Sequence, residues 1–229
     1  MKRAIIISLV LVLAAIAWVA MYVPVAGAEE YTTIRPGGRG GSWEFILPLI
    51  YTDSTTINGQ GGASVKINAD WSTGFGFGYN INDNIQINGL FSWSNRSYDA
   101  TVMKPDGTTS RYSNYMDTST IGMNGVYYFM GGNVTPFISA GIGYTFIDTN
   151  IQNGPPNNTC WYDPWYGNVC SSYVPTKTES DWSYNAGIGV RFDVNRSFAL
   201  QGSYNKMWIE ADKVKPDFDI FKIDFIFRM

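Results

Sequence analysis

The chain contains no histidine. A Ser–His, Cys–His or His–Asp arrangement is therefore impossible, and nucleophilic catalysis loses its usual general base. The acid pairs that remain, Glu179 with Asp181 and Asp217 with Asp219, read as solvated charges in loop stems. No enzymatic activity, cofactor or catalytic metal is expected. Cysteine is scarce too. Cys160 and Cys170 are the only pair, both in one stretch rich in proline and asparagine. Two thiols without a histidine are too few ligands for a metal site. In an exported chain they read as a disulfide closing a short loop.

Positive charge is also in short supply. Sixteen Lys and Arg stand against 19 Asp and Glu, a formal net charge of −3. That balance argues against a nucleic-acid partner, which requires a basic face. Long apolar runs are absent but for one, from Ala4 to about Val23. It follows Lys2-Arg3 and leads to Ala26-Gly27-Ala28. A basic start, an apolar middle and a small-x-small site describe a secretory signal peptide over residues 1–28. An uncleaved anchor helix is the competing reading, because the run is just long enough to span a bilayer. Pro24 and the small residues favour cleavage after Ala28. Losing Lys2 and Arg3 would leave 201 residues with a net charge of −5. No second run could make a helical membrane protein.

What the chain has instead is alternation. From Phe221, the residues Phe221, Ile223, Phe225, Phe227 and Met229 share one face, with Lys222, Asp224, Ile226 and Arg228 on the other. Period two means a strand. The pattern recurs seven more times: at 42–52, 70–80, from Ile85 to about Arg96, from Thr118 to Phe129, from Ile138 to Phe146, at 181–192, and from Phe198 to about Asn205. Alternation weakens at Lys206-Met207-Trp208, where a bulge or a membrane boundary is expected. Residues 29–41, with four glycines and no period, read as a flexible periplasmic lead-in. Long polar loops are expected near 53–69, 102–114 and 149–178, and short turns at 81–84, 131–133 and 195–197.

One such strand would fit a soluble sandwich or lipocalin-like barrel as well as a membrane protein. The set decides. An even number of strands alternates long loops with tight turns, the asymmetry of a barrel that crosses a bilayer. The apolar face is also banded. Tyr51, Trp71, Trp93, Tyr144, Trp182 and Trp208 fall at the loop end, and Trp43, Tyr79, Tyr127 and Phe192 at the turn end. Two aromatic girdles around an aliphatic middle are the mark of headgroup depth. The expected fold is thus all-β, an eight-stranded antiparallel up-and-down transmembrane β-barrel spanning 42–229, in contact with outer-membrane lipid.

The segments GFGFGYNINDNIQINGLF, TPFISAGIGYTFID and DWSYNAGIGVRFDVNRSFALQGSYNKMWIEAD resemble the OmpW family of Gram-negative outer-membrane barrels. Its wider relatives include OmpX, the OmpA membrane domain and the opacity proteins. The resemblance implies an outer-membrane location, insertion by the barrel-assembly machinery, and a narrow channel for small hydrophobic solutes. Such proteins usually end in an aromatic residue; this chain ends in Met229, with Phe227 and Phe225 as the nearest substitutes. The lumen-lining residues expected are Glu44, Ile46, Ile50, Leu90, Arg96, Phe137, Arg191, Lys222, Asp224 and Arg228. Inward glycines could leave space for a solute or let large neighbours pack. The alternative function is a non-conducting structural or adhesive barrel. Its aromatic, disulfide-pinned loop at 149–178 would then meet a partner or lipopolysaccharide.

Overall fold

A computed structural model describes residues 38–229, apart from 60–61, 104–107, 156, 174 and 211–215. The expected signal peptide and most of the lead-in lie outside the described residues. The described residues form twelve strands: β1 (Trp43–Thr52), β2 (Thr55–Asn58), β3 (Ser64–Ile67), β4 (Asp70–Asn80), β5 (Ile85–Met103), β6 (Thr109–Tyr128), β7 (Val134–Gln152), β8 (Asn157–Asp163), β9 (Gly167–Tyr173), β10 (Thr176–Asp193), β11 (Phe198–Ile209) and β12 (Asp217–Arg228). Eight of them close a ring in the order β1, β4, β5, β6, β7, β10, β11, β12, every seam antiparallel. Closure leaves the ring no free edge, so its amides can be paired within the sheet.

The side-chain period of two sends each strand's apolar set outward. Leu47, Leu49, Phe75, Phe77, Ile138, Ile142 and Ile188 are exposed, which in water would be untenable and in hydrocarbon is favourable. The girdle rings meet across seams. Trp43 and Tyr79 have centroids 5.0 Å apart at the turn end, and Tyr51–Trp71 and Tyr144–Trp182 lie 5.1 and 5.4 Å apart at the loop end. Such pairs add to sheet stability beyond the area they cover.

Side chains fix the short turns. The Asn82 Oδ1 accepts from the Asn84 and Ile85 amides at 2.9 and 2.8 Å, and the Asn195 Oδ1 from those of Ser197 and Phe198 at 2.8 Å each. These asparagines supply the turn's missing acceptor. In the third turn Gly132 takes a positive φ of 143°, which a side chain would resist.

The expected loops are largely strand. Residues 53–69 hold the β2–β3 hairpin, and β3 pairs onto β5. β5 and β6 stay paired out to Met103↔Thr109, so 102–114 is mostly ladder. β7 and β10 run on to Gln152↔Thr176. Crossing a bilayer takes a strand only about 9–11 residues, so these 18- to 20-residue strands stand well clear of it. No bulge interrupts 206–208, which pair in register with both neighbours. The weakened alternation there is a boundary: Lys206 faces outward to Asp217 at 2.6 Å and Asp219 at 3.6 Å. Within 149–178, β8 and β9 form a separate two-stranded sheet, with Cys160 directly opposite Cys170 and disulfide-bonded to it.

Candidate functional site: a cavity between two closures

Three levels stack inside the barrel. The level at the turn end is ionic. Arg191 on β10 is fully buried and grips Glu44 on β1 with two bonds, Nη2 to Oε1 at 2.7 Å and Nη1 to Oε2 at 2.9 Å. Its Nε donates to Asp193 at 3.0 Å and its Nη1 to the Tyr128 hydroxyl at 3.2 Å. Arg228 on β12 reaches Glu44 at 3.4 Å and Asp193 at 3.2 Å, and Gln86 on β5 donates to Glu44 at 2.7 Å. Contributors from opposite sides of the ring tie this network across the bore. Paired in this way a buried guanidinium is tolerated; alone it would be costly.

The lead-in completes this closure. Gly38–Gly41 were expected to be flexible. Instead the Arg39 and Gly40 amides donate to Asp83 at 3.0 Å each, and the Gly41 amide to the Asn80 carbonyl at 2.7 Å. The Arg39 side chain is buried, 4.4 Å above the Tyr128 ring and 3.6 Å from Asp193. A mouth rich in carboxylate and tyrosine draws in a third cation, and the adjoining glycines let the chain lie against the 81–84 turn.

The level at the loop end is apolar. Ile67 (β3), Tyr98 (β5), Met116 (β6), Ile209 (β11) and Phe218 (β12) form one buried cluster. Because β5 and β6 stand across the ring from β11 and β12, the cluster spans the bore. Arg96 sits within this level, 3% exposed, its guanidinium carbon 4.8 Å above the Phe218 ring.

Between the closures lies a cavity of about 110 Å³. Polar amides line much of it: Asn124 donates to Asn88 at 3.1 Å and accepts from Asn185 at 2.9 Å. Ile50, Leu90, Val126, Phe137, Met207 and Ile220 supply apolar wall, and Lys222, 3.2 Å from Asp224, supplies charge. The inward glycines do not leave a bore. A Cβ on Gly189 would strike the Phe137 ring, one on Gly76 the Leu90 side chain, and one on Gly141 or Gly187 an asparagine amide. They are the recesses into which larger neighbours pack.

The cavity reaches the barrel wall beside β4. β4 and β5 pair from Asn80↔Gln86 only as far as Thr73↔Trp93. Pairing resumes where the Asn68 amide meets the Ser97 carbonyl at 3.0 Å and β3 takes over at Ile67↔Tyr98. Four residues, 69–72, thus oppose three, 94–96, and the ladder lapses at the loop-end girdle. On the other side of β4, pairing to β1 skips Leu47 and Pro48, whose ring nitrogen has no hydrogen to give. Ser72, Trp93, Ser94 and Arg96, all at the lapse, line the cavity.

All ten residues expected in the lumen turn inward. Glu44, Arg191 and Arg228 gather at the turn-end closure, beside Ile46 and, near Tyr128, Phe137. Asp224 accepts from Gln201 above that closure. Ile50, Leu90, Phe137, Arg96 and Lys222 touch the cavity. Nothing in the alternation sets Arg39, Tyr128, Asp193 or the asparagine belt apart. The inward parity of Asn88, Asn124 and Asn185 was visible in the alternation, but nothing in the sequence placed them at one height.

A closed eight-stranded ring with lipid-facing aromatic residues is the architecture of an outer-membrane barrel, and the family comparison agrees: residues 11–228 match the outer membrane protein beta-barrel domain. The chain belongs to that family. It is an outer-membrane protein of a Gram-negative bacterium. Among solved structures, it is similar to the outer membrane protein OprG from Pseudomonas aeruginosa, at 14% identity and a TM-score of 0.53, covering 83% of this chain and 97% of that one. Neisserial surface protein A is similar at 13% identity and a TM-score of 0.50, covering 82% and 96%. At such identities the likeness concerns the fold. No curated protein matches the sequence.

Proposed function

We propose that this outer-membrane barrel is OmpW-like and admits small, largely apolar molecules from its loop side. Its route runs sideways into the outer membrane at β4 rather than straight through the bore. The carrying observation is the cavity that ends at a lapsed ladder. Unpaired backbone in a lipid-facing wall is costly, and here it sits beside Ser72 and Ser94, which line the cavity from the two strands that flank the lapse. The ionic closure at the turn end supports a sideways exit, because an apolar solute gains nothing by displacing paired charges.

The test is the entry of radiolabelled toluene into intact cells carrying the barrel. Expression is expected to raise the entry rate. Deleting Ala69 sets three residues against three at the lapse and should return the rate to background, while the heat-modifiable gel band of a folded barrel persists. Entry that ignores the barrel, or is unchanged by the deletion, would end this reading.

A second reading has its own observation. At the tip of the β8–β9 hairpin, Trp165 and Tyr166 are 89% and 85% exposed, held by the Asp163 carboxylate, which accepts both their amides at 2.8 and 3.0 Å. Exposed rings on a braced tip suit adhesion to a partner or to lipopolysaccharide.

A further inference from the structure

We infer that the cavity holds a carboxylate site, built on Arg96 and Thr118, for a small amphiphile with one acidic group and a short apolar chain. The inference rests on the proposed uptake of apolar molecules and narrows their class. Arg96 keeps its charge in a protein interior, yet its Nε and Nη1 are buried with no hydrogen-bond partner. No carboxylate among the described residues forms an ion pair with it. Its contact with the Phe218 ring at 4.8 Å is attractive but satisfies neither N–H. Arg191, a second deeply buried guanidinium, holds two carboxylates; Arg96 feels the charge of Asp70 but has no carboxylate in contact among the described residues.

Thr118 supplies the second half. Its Oγ1 is likewise buried and without a partner. On the ladder Arg96 lies opposite Met116 and Ser94 opposite Thr118, so Arg96 and Thr118 are diagonal neighbours on one inward face, within reach of a long side chain. Both line the cavity. A carboxylate between them would accept from the guanidinium with one oxygen and from the hydroxyl with the other. The tail would lie against Ile50, Leu90, Met207 and Ile220, which line the same space. Lys222 is the rival cation, but Asp224 already engages it at 3.2 Å.

The experiment uses the refolded chain in lipid nanodiscs and measures binding of hexanoate, hexanol and acetate by competition, with carboxyl-labelled hexanoate followed by carbon NMR. Hexanoate is expected to bind at least tenfold tighter than hexanol and than acetate. Arg96→Met should erase the preference over hexanol, and Thr118→Val, which keeps the side chain's shape, should reduce it several-fold and stands alone if Arg96→Met does not fold. Hexanol bound as tightly as hexanoate, or a preference untouched by Thr118→Val, would overturn the site while leaving apolar uptake intact. Acetate bound as tightly as hexanoate would overturn the amphiphile and leave a site for small free anions. Binding of none of the three would overturn the uptake reading as well.

Discussion

Glu44 and Glu179 show how unequal two carboxylates in one chain can be. Glu179 meets Lys177 at 3.0 Å with both side chains 57% exposed. Water and salt screen such a pair, and its removal should cost between zero and about 1 kcal/mol. Glu44 answers a guanidinium that has no access to solvent. Glu44→Ala would leave Arg191 charged, buried and short of its two-bond partner, at a cost of about 3–5 kcal/mol. Urea unfolding of the refolded barrel, followed by tryptophan fluorescence, checks the contrast. A Glu44→Ala loss no larger than that of Glu179→Ala would mean that water reaches the closure. Residue type alone could not have ranked the two. The arginine partners of Glu44 lie 147 and 184 positions away, and burial is a property of the closed ring.

The hairpins differ as much as the carboxylates do. β2–β3 is joined to the barrel through β5, whereas β8 and β9 pair only with each other. A lone two-stranded hairpin is marginal in water, so the Cys160–Cys170 bond carries much of its order; by chain entropy a loop of this size gains about 3 kcal/mol. Reduction is expected to open 157–173 to protease while the heat-modifiable band of the barrel stays unchanged. Loss of that band on reduction would show that the hairpin supports the ring. The disulfide was legible from cysteine count and compartment. The reach of β5, β6, β7 and β10 was not, because above the girdle both faces of a strand meet water and alternation ceases to report pairing. The lapse at 69–72 was hidden for a different reason: it exists only in the registers of β3 and β4 against β5, and no single segment encodes that.

For the whole molecule, the contrast between lipid and interior made the eight ring strands and both girdles readable, since lipid imposes a strict outward parity on every strand. The interior escaped, because inward polar residues close a bore, line a cavity or bind a ligand, and parity is silent on which. The two closures imply a measurable behaviour. In a planar bilayer the refolded chain should show no conductance steps above baseline, since the ionic network at one end and the Phe218 cluster at the other both cross the bore. Steady steps from a properly folded sample would refute this. The ring order has one further implication, for how the molecule comes to exist. Seven seams join strands that follow one another around the chain; the eighth joins β1 to β12, with Glu44 and Arg228 separated by 184 positions. Contacts so distant form late. Until that seam shuts, the nascent sheet carries two bare edges flanked by lipid-seeking faces, a template for pairing with its own copies. The hazard in this protein's life is therefore kinetic: a brief, sticky, open-sided intermediate that must be kept solitary until its ends meet.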